Sequence, residues 1–330
     1  MNSKNVVALL VIAILVTALA GCTVPSPTPT LPASESSTLK GVSLSPRTYD
    51  QPGFEDFFTL AKKTGLTVTW AGDWDQIGVP GQGPEYVTSM SSKYGVQPVM
   101  ITSYYSQSEG RILRPLDDVT KARYLEKVST YAKKNKPAYL GLGIEVNIMA
   151  EKSPADFEEF VDLYADAYDA IKVASPQTKV FTVFQLERMK GLQGGLFGGS
   201  DDPGNAQWQL LDRFNKSDLY AFTTYPCLIY KDPAEIPSDY YREILSHSSK
   251  PIAFTEIGWY SGTPAAGWES SEDEQARFVR TFFNLTADTE LKLQIWSFMY
   301  DQKIPEPFPT TGLRWIDGGE KAAWGEWTRA

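Results

Sequence analysis

A chain of 330 residues, 42% hydrophobic and 22% charged, has the makeup of a folded globular protein with enough apolar material for a large core, which excludes disorder as its main state. Forty acidic against 31 basic side chains leave a formal charge of -9, the wrong sign for gripping a phosphate backbone, so no nucleic-acid partner is expected. One histidine, His247, and two cysteines, Cys22 and Cys227, exclude a His-based triad with a metal site of its own, Cys-rich zinc modules and a disulfide framework. No metal or cofactor is therefore expected.

The chain opens with Lys4, an uninterrupted apolar run from Val6 to Leu15, and small residues leading into Leu19-Ala20-Gly21-Cys22. Residues 1 to 21 resemble a lipoprotein signal peptide with its lipobox, and the resemblance implies that Cys22 becomes the lipidated mature N-terminus. The expected location is the extracellular face of a prokaryotic cell membrane. Residues 22 to 38 are rich in Pro, Ser and Thr, cannot build a core, and read as an extended tether. Cys227 has no partner and reads as a small buried hydrophobe.

From residue 39 to 330 one unit recurs, a short β-branched or aromatic run followed by a turn and a helical stretch. The strands read as Leu39 to Leu44, Leu66 to Trp70, Val96 to Thr102, Ala138 to Glu145, Lys179 to Phe184, Asp218 to Tyr225, Pro251 to Glu256 and Leu291 to Phe298. Helices start near Phe54, Glu85, Val119, Pro154, Ala206, Ser238 and Glu272, with a short last one near Glu320. Ser153-Pro154 and Ser271-Glu272-Asp273-Glu274 place a cap or acidic residues at the positive end of a helix. Eight such units with no break in composition predict an α/β fold, a single (β/α)8 TIM barrel. An open doubly wound sheet lacks here the Gly-rich first turn that its nucleotide-binding version needs.

Active sites of such barrels lie at the carboxyl ends of the strands. The fourth strand carries Gly141, Gly143, Glu145 and Asn147, which strict alternation puts on one face, toward the barrel mouth. The seventh carries Glu256 on the face of Ile252 and Phe254. Two glutamates ending apolar strands on opposite sides of a mouth suit a retaining glycosidase, which uses a carboxylate pair as nucleophile and as acid/base. Glu187, just past the fifth strand, is a rival carboxylate.

Thr255-Glu256-Ile257-Gly258-Trp259 resembles the nucleophile strand of the retaining (β/α)8 glycoside hydrolase clan, especially the arabinogalactan endo-β-1,4-galactanase and endo-1,3-β-glucanase families. Gly143-Ile144-Glu145-Val146 stands where that clan has its acid/base strand. The resemblance implies Glu256 as nucleophile and Glu145 as proton donor. Ile144 departs from the pattern, since the clan has Asn there to bond the sugar 2-hydroxyl; Asn147 offers a substitute polar contact. Thr224-Tyr225-Pro226 is similar to the clan's Tyr-Pro segment, which implies that the Tyr225 hydroxyl orients Glu256. Gln294-Ile295-Trp296-Ser297-Phe298 puts Trp296 in the place of the clan's sugar platform.

Trp70, Trp74, Tyr104, Tyr105 and Trp259 also sit at or just past strand ends, and most of these aromatics are expected to line a sugar-binding groove. Gln185 and Glu187 are placed to hold sugar hydroxyls and Arg47 to keep Glu256 ionised, while Asp301 follows the eighth strand. The Gly-rich segment Lys190 to Gln207 reads as a subsite wall or a flexible loop. The expected partner is a β-linked polysaccharide or oligosaccharide, together with the membrane through Cys22. The alternative is a carbohydrate-binding lipoprotein on the same scaffold without catalysis, motivated by Ile144 and the tether.

Overall fold

The computed structural model describes residues 38–330; the leader, Cys22 and the tether up to residue 37 lie outside the described residues. Eight parallel strands close into one barrel: β1 Leu39–Ser43, β2 Thr67–Asp73, β3 Gln97–Ser103, β4 Tyr139–Leu142, β5 Lys179–Gln185, β6 Leu219–Thr224, β7 Ile252–Ile257 and β8 Leu291–Trp296. Each pairs with its neighbour in the chain, and β1 seals the cylinder against β8 in the register Leu39↔Leu293 to Val42↔Trp296. The fold is thus the single (β/α)8 barrel that the alternating pattern predicts.

Alternation along the strands divides the apolar residues into two clusters. Val99, Ile101, Phe181, Val183, Leu219, Ala221, Ala253, Leu293 and Ile295 fill the barrel interior, joined by Ile144. The larger cluster, with Val68, Trp70, Leu140, Phe184, Phe222, Phe254 and Trp296, lies between the strands and the surrounding helices. Helix α1, Gln51–Thr64, shows why these helices form. The Asp50 side chain accepts from the Gly53 amide, Pro52 fits the first turn, Lys62 and Lys63 lie in the last, and Phe54, Phe57, Phe58 and Ala61 recur at helical spacing on the buried face. Helix α2, Gly83–Tyr94, has Pro84 in its first turn but no side-chain cap, whereas α3, Asp118–Asn135, is capped by Asp117 and carries Lys133 and Lys134 in its last turn, and the helix Glu272–Thr286 is capped by Ser271 with acidic residues in its first turn.

Three expectations are corrected. The connections after β5 and β6 carry no full helix: a 3-10 segment Trp208–Phe214 replaces the one expected near Ala206, and only Ile244–His247 is α-helical after Ser238. The long excursion to residue 207 leaves few residues before β6 begins, and Pro226, Pro233 and Pro237 break the second connection. The fourth strand stops at Leu142 rather than Glu145, and helix α4, Val146–Lys152, begins directly after it, followed by α5, Pro154–Ala174. A small hairpin, Tyr105–Ser106 with Arg111–Ile112, adds to the loop after β3.

Beyond β8 the chain is tied down by an ion pair. The Lys321 side chain is wholly buried and donates to Asp301 at 2.5 Å and to the Ser261 hydroxyl at 2.8 Å, joining the segments that follow β7 and β8 to the start of the last helix, Ala322–Arg329. Asp301 is therefore a structural partner. Removing one member of such a pair strands the other charge, so Lys321→Ala is expected to destabilise the fold by about 3–5 kcal/mol. Urea denaturation reads this, and a loss below about 1 kcal/mol would contradict it.

Candidate active site

The backbone turns sharply at the end of β4. Gly143 has φ of +86°, and a Cβ there would come within 2.6 Å of Val146. Glu145 follows at φ +49°, one of two non-glycine residues with positive φ among the described residues. A left-handed conformation costs a non-glycine residue on the order of 1–3 kcal/mol and is typical of functional sites. Here it lets the chain leave the strand and enter α4 while the Glu145 side chain stays among the strand ends. Its Oε1 accepts from Thr223 at 2.7 Å and from Gln185 Nε2 at 3.4 Å, and its Oε2 is buried without a partner.

Glu256 reaches the same place by another irregularity. Ile252 and Phe254 face the outer helices, so strict alternation would send Glu256 outward with them, and the shared face expected from the sequence is corrected. The register steps from Phe222↔Phe254 to Thr223↔Glu256, leaving Thr255 as an extra residue. This bulge turns Glu256 onto the face of Thr223, toward the mouth. Tyr225 donates its hydroxyl to Glu256 Oε2 at 2.7 Å and lies 2.7 Å from the Ser297 hydroxyl, which donates to the Ile257 carbonyl at 3.0 Å. Gly258 is glycine because a Cβ there would lie 2.4 Å from the Tyr225 ring. Thr223 thus bonds one carboxylate and stands in register beside the other.

Burial sets the electrostatics. It pushes the Glu145 carboxyl up to about 8, helped by the like charge of Glu256 and opposed by the Thr223 hydrogen bond. It pushes Glu256 up to about 7 against the Tyr225 hydrogen bond. Glu145 is 1% exposed, whereas Glu256 is only partly buried and is the more accessible of the two.

The structure corrects several expected substrate contacts. Trp70, Trp259 and Trp296 are all buried, at 3%, 0% and 0% exposure. Trp70 packs toward α2, where a Cβ on Gly83 would meet its indole nitrogen. Trp259 stacks on Phe278 and donates to Ser270 and Glu274; Trp296 packs on Phe278 and Trp327 and donates to the Thr311 carbonyl. All three serve the layer between strands and helices, because a tryptophan ending a strand can sit on either face. Trp74, Tyr104 and Tyr105 are equally buried, with Trp74 stacked on Tyr104. Asn147 is fully buried on α4, and its amide is committed to the Gln185 backbone and the Gln207 side chain. Gln185 is buried against Glu145. Arg47 pairs with Asp56 at 3.4 Å, not with Glu256. Ile144 packs in the barrel interior, and its carbonyl accepts from Gln107 at 2.6 Å.

Thr223 lies outside the quoted motifs and Ser297 lies in one that assigns it no role, but each continues the inner alternation of its strand, after Leu219 and Ala221 and after Leu293 and Ile295. The loops after β5, β6 and β7 bring partly exposed Phe197, Tyr230 and Trp268 to the strand carboxyl ends, and Gly195, with φ of +53°, packs against Trp268. The signal for this loop contact is Gly194-Gly195. Among the described residues no group of three or more His, Cys, Asp or Glu side chains is placed to hold a metal ion.

No protein-family model matches the chain, and no curated protein matches it by sequence. Solved structures do resemble it. A family 39 glycoside hydrolase from the gut symbiont Bacteroides cellulosilyticus WH2 superposes with a TM-score of 0.60 at 17% identity over 87% of this chain and 62% of that one. GH5_18 from Streptomyces cattleya, in complex with GlcNAc, gives 0.66 at 15% identity over 90% and 80%. An exo-β-1,4-mannosidase from Opitutaceae bacterium strain TAV5 gives 0.62 at 15% over 87% and 58%, so the chain spans less than two thirds of two of these three. The fold is the TIM barrel found in these glycoside hydrolases.

A carboxyl raised on folding binds its proton more tightly in the native state, so it lowers stability as pH rises from its unfolded value of about 4.5 toward 8. Glu145→Gln, which keeps an acceptor for Thr223, is expected to match the parent near pH 4.5 and exceed it by a few kcal/mol at pH 8. Melting temperatures across that range test this, and a pH-independent difference would refute the raised carboxyl.

Proposed function

We propose that the protein is a retaining glycoside hydrolase, with Glu256 as nucleophile and Glu145 as general acid/base. The observation that carries this is the Glu145–Thr223–Glu256 arrangement, two carboxyls at the ends of β4 and β7 with one threonine between them. Glu256 attacks the anomeric carbon while Glu145 gives its proton to the departing glycosidic oxygen. Water then cleaves the glycosyl-enzyme, and Glu145 recovers a proton from it. The unpartnered buried Oε2 of Glu145 suits the proton-bearing oxygen, since an orphaned polar atom in a native core asks for a role. Burial and the like charge of Glu256 also hold the Glu145 carboxyl well above the usual carboxylate range, which suits a proton donor at neutral pH.

The substrate on this reading is a β-linked polysaccharide of galactan or glucan type, cut internally. The enzyme is held by lipid on Cys22 at the extracellular face of a prokaryotic membrane. Partly exposed Phe197, Tyr230 and Trp268 supply flat faces for pyranose rings in place of the buried tryptophans. One observation favours a second reading, a carbohydrate-binding lipoprotein without turnover: Glu145 is 1% exposed, so a sugar reaches it only if the covering groups part.

Reducing-end release from β-linked galactans, glucans and mannans by residues 39–330 separates the two. Turnover is expected, falling on the order of 10⁴-fold in Glu256→Ala and in Glu145→Ala with folding intact. Retention of parental rates in both variants would end the proposal, and glycan binding without release would select the second reading. kcat/KM is expected to rise with pH as Glu256 ionises near 7 and to fall as Glu145 loses its proton near 8. A profile whose optimum lies below pH 5 would contradict these roles.

A further inference from the structure

Glu187 is fully buried and takes no part in the chemistry just described, yet its surroundings are built around it. Its Oε1 accepts three hydrogen bonds: from the Tyr225 amide at 2.9 Å, the Thr224 hydroxyl at 3.1 Å and the Tyr240 hydroxyl at 2.9 Å. Two of these donors belong to the residues at the carboxyl end of β6, and the third comes from the segment before β7. Glu187 itself lies in the short helix Leu186–Met189 that follows β5 directly, so its backbone is fixed by a barrel strand. The amide it holds belongs to the tyrosine whose hydroxyl bonds Glu256.

We propose that Glu187 is a positioning residue for the nucleophile: it clamps the Thr224-Tyr225 backbone and thereby fixes the Tyr225 hydroxyl against Glu256. This rests on the glycosidase reading for its catalytic consequence but not for its physical one. A fully buried carboxyl is costly unless it accepts hydrogen bonds, and Glu187 meets that cost through Oε1 alone, since its Oε2 is buried without a partner. Three donors converging on one oxygen give a stiffer anchor than the single hydroxyl–backbone bonds common at strand ends. Glu187 is faced by Tyr225, Tyr240 and Thr224, with the Glu145 carboxyl, the Tyr230 and Tyr241 hydroxyls and the buried thiol of Cys227 nearby; Glu256 is faced by the Tyr225 hydroxyl and the Glu145 carboxyl.

The test follows the titration of Glu256 by carbon-13 NMR of glutamate-labelled protein, which needs no substrate. A loosened Tyr225 donates less well, and losing a donor raises a carboxyl pKa, so Glu187→Gln is expected to move the Glu256 titration upward. Simple removal of a nearby negative charge would move it downward instead. Tyr225→Phe is expected to raise it further, and adding Glu187→Gln to Tyr225→Phe is expected to change nothing more. Should Glu187→Gln fail to fold, Tyr240→Phe removes one of the three donors and is expected to give a smaller shift of the same sign. With an active substrate, Glu187→Gln is expected to cost about tenfold in kcat with little change in KM. An unmoved or lowered Glu256 titration, or additive effects in the double variant, overturns the inference. Full activity of Glu256→Ala would instead overturn the glycosidase reading and leave the titration result standing.

Discussion

The site depends on one extra residue in β7. Thr255 breaks the alternation that would otherwise aim Glu256 at the helices, and the displaced register brings it beside Thr223. Without that bulge Glu145 would lack its charged neighbour and the Tyr225 hydroxyl would lack its carboxyl acceptor. A strand flips every side chain to the other face when its register moves by one, so a single inserted residue decides whether this barrel has a carboxylate pair at its mouth.

The counterpart on β4 is achieved by backbone strain rather than by a bulge. Gly143 and Glu145 both adopt positive φ, and Ile144 between them is turned into the apolar interior. An isoleucine there adds to the apolar interior next in sequence to Glu145, whose carboxyl burial displaces upward. The two strand ends therefore converge on one point by different local means, and both carry a cost in stability that the surrounding packing offsets.

Legibility in the sequence follows the same division. The eight strands were readable because apolar β-branched runs recur between amphipathic helices, and the two glutamates because each ends such a run. Which way a side chain faces at a strand end was not readable, since it turns on irregularities one residue long. Trp70, Trp259 and Trp296 stand at strand ends as a sugar platform would, but the residues packed on them, Phe278 and Trp327 among them, come from distant helices. Asn147 likewise carries the right chemistry, yet the early start of α4 commits it to the β5 backbone. Thr223 and Ser297 were hidden for the opposite reason, being small polar residues that acquire meaning only from what lies across the barrel.

The polarity of the barrel separates the end where the chain enters from the end that carries the carboxyls. The described chain enters at Thr38, whose hydroxyl bonds the Leu291 carbonyl at the amino end of β8, and Lys40 reaches the carbonyls of Trp327 in the last helix and of Ala330 just beyond it. That end is the floor of the cylinder, and both carboxyls lie at the opposite rim. The point where the described chain enters and the carboxyl pair are thus at opposite ends of one cylinder, so a chain arriving at β1 does not cross the mouth.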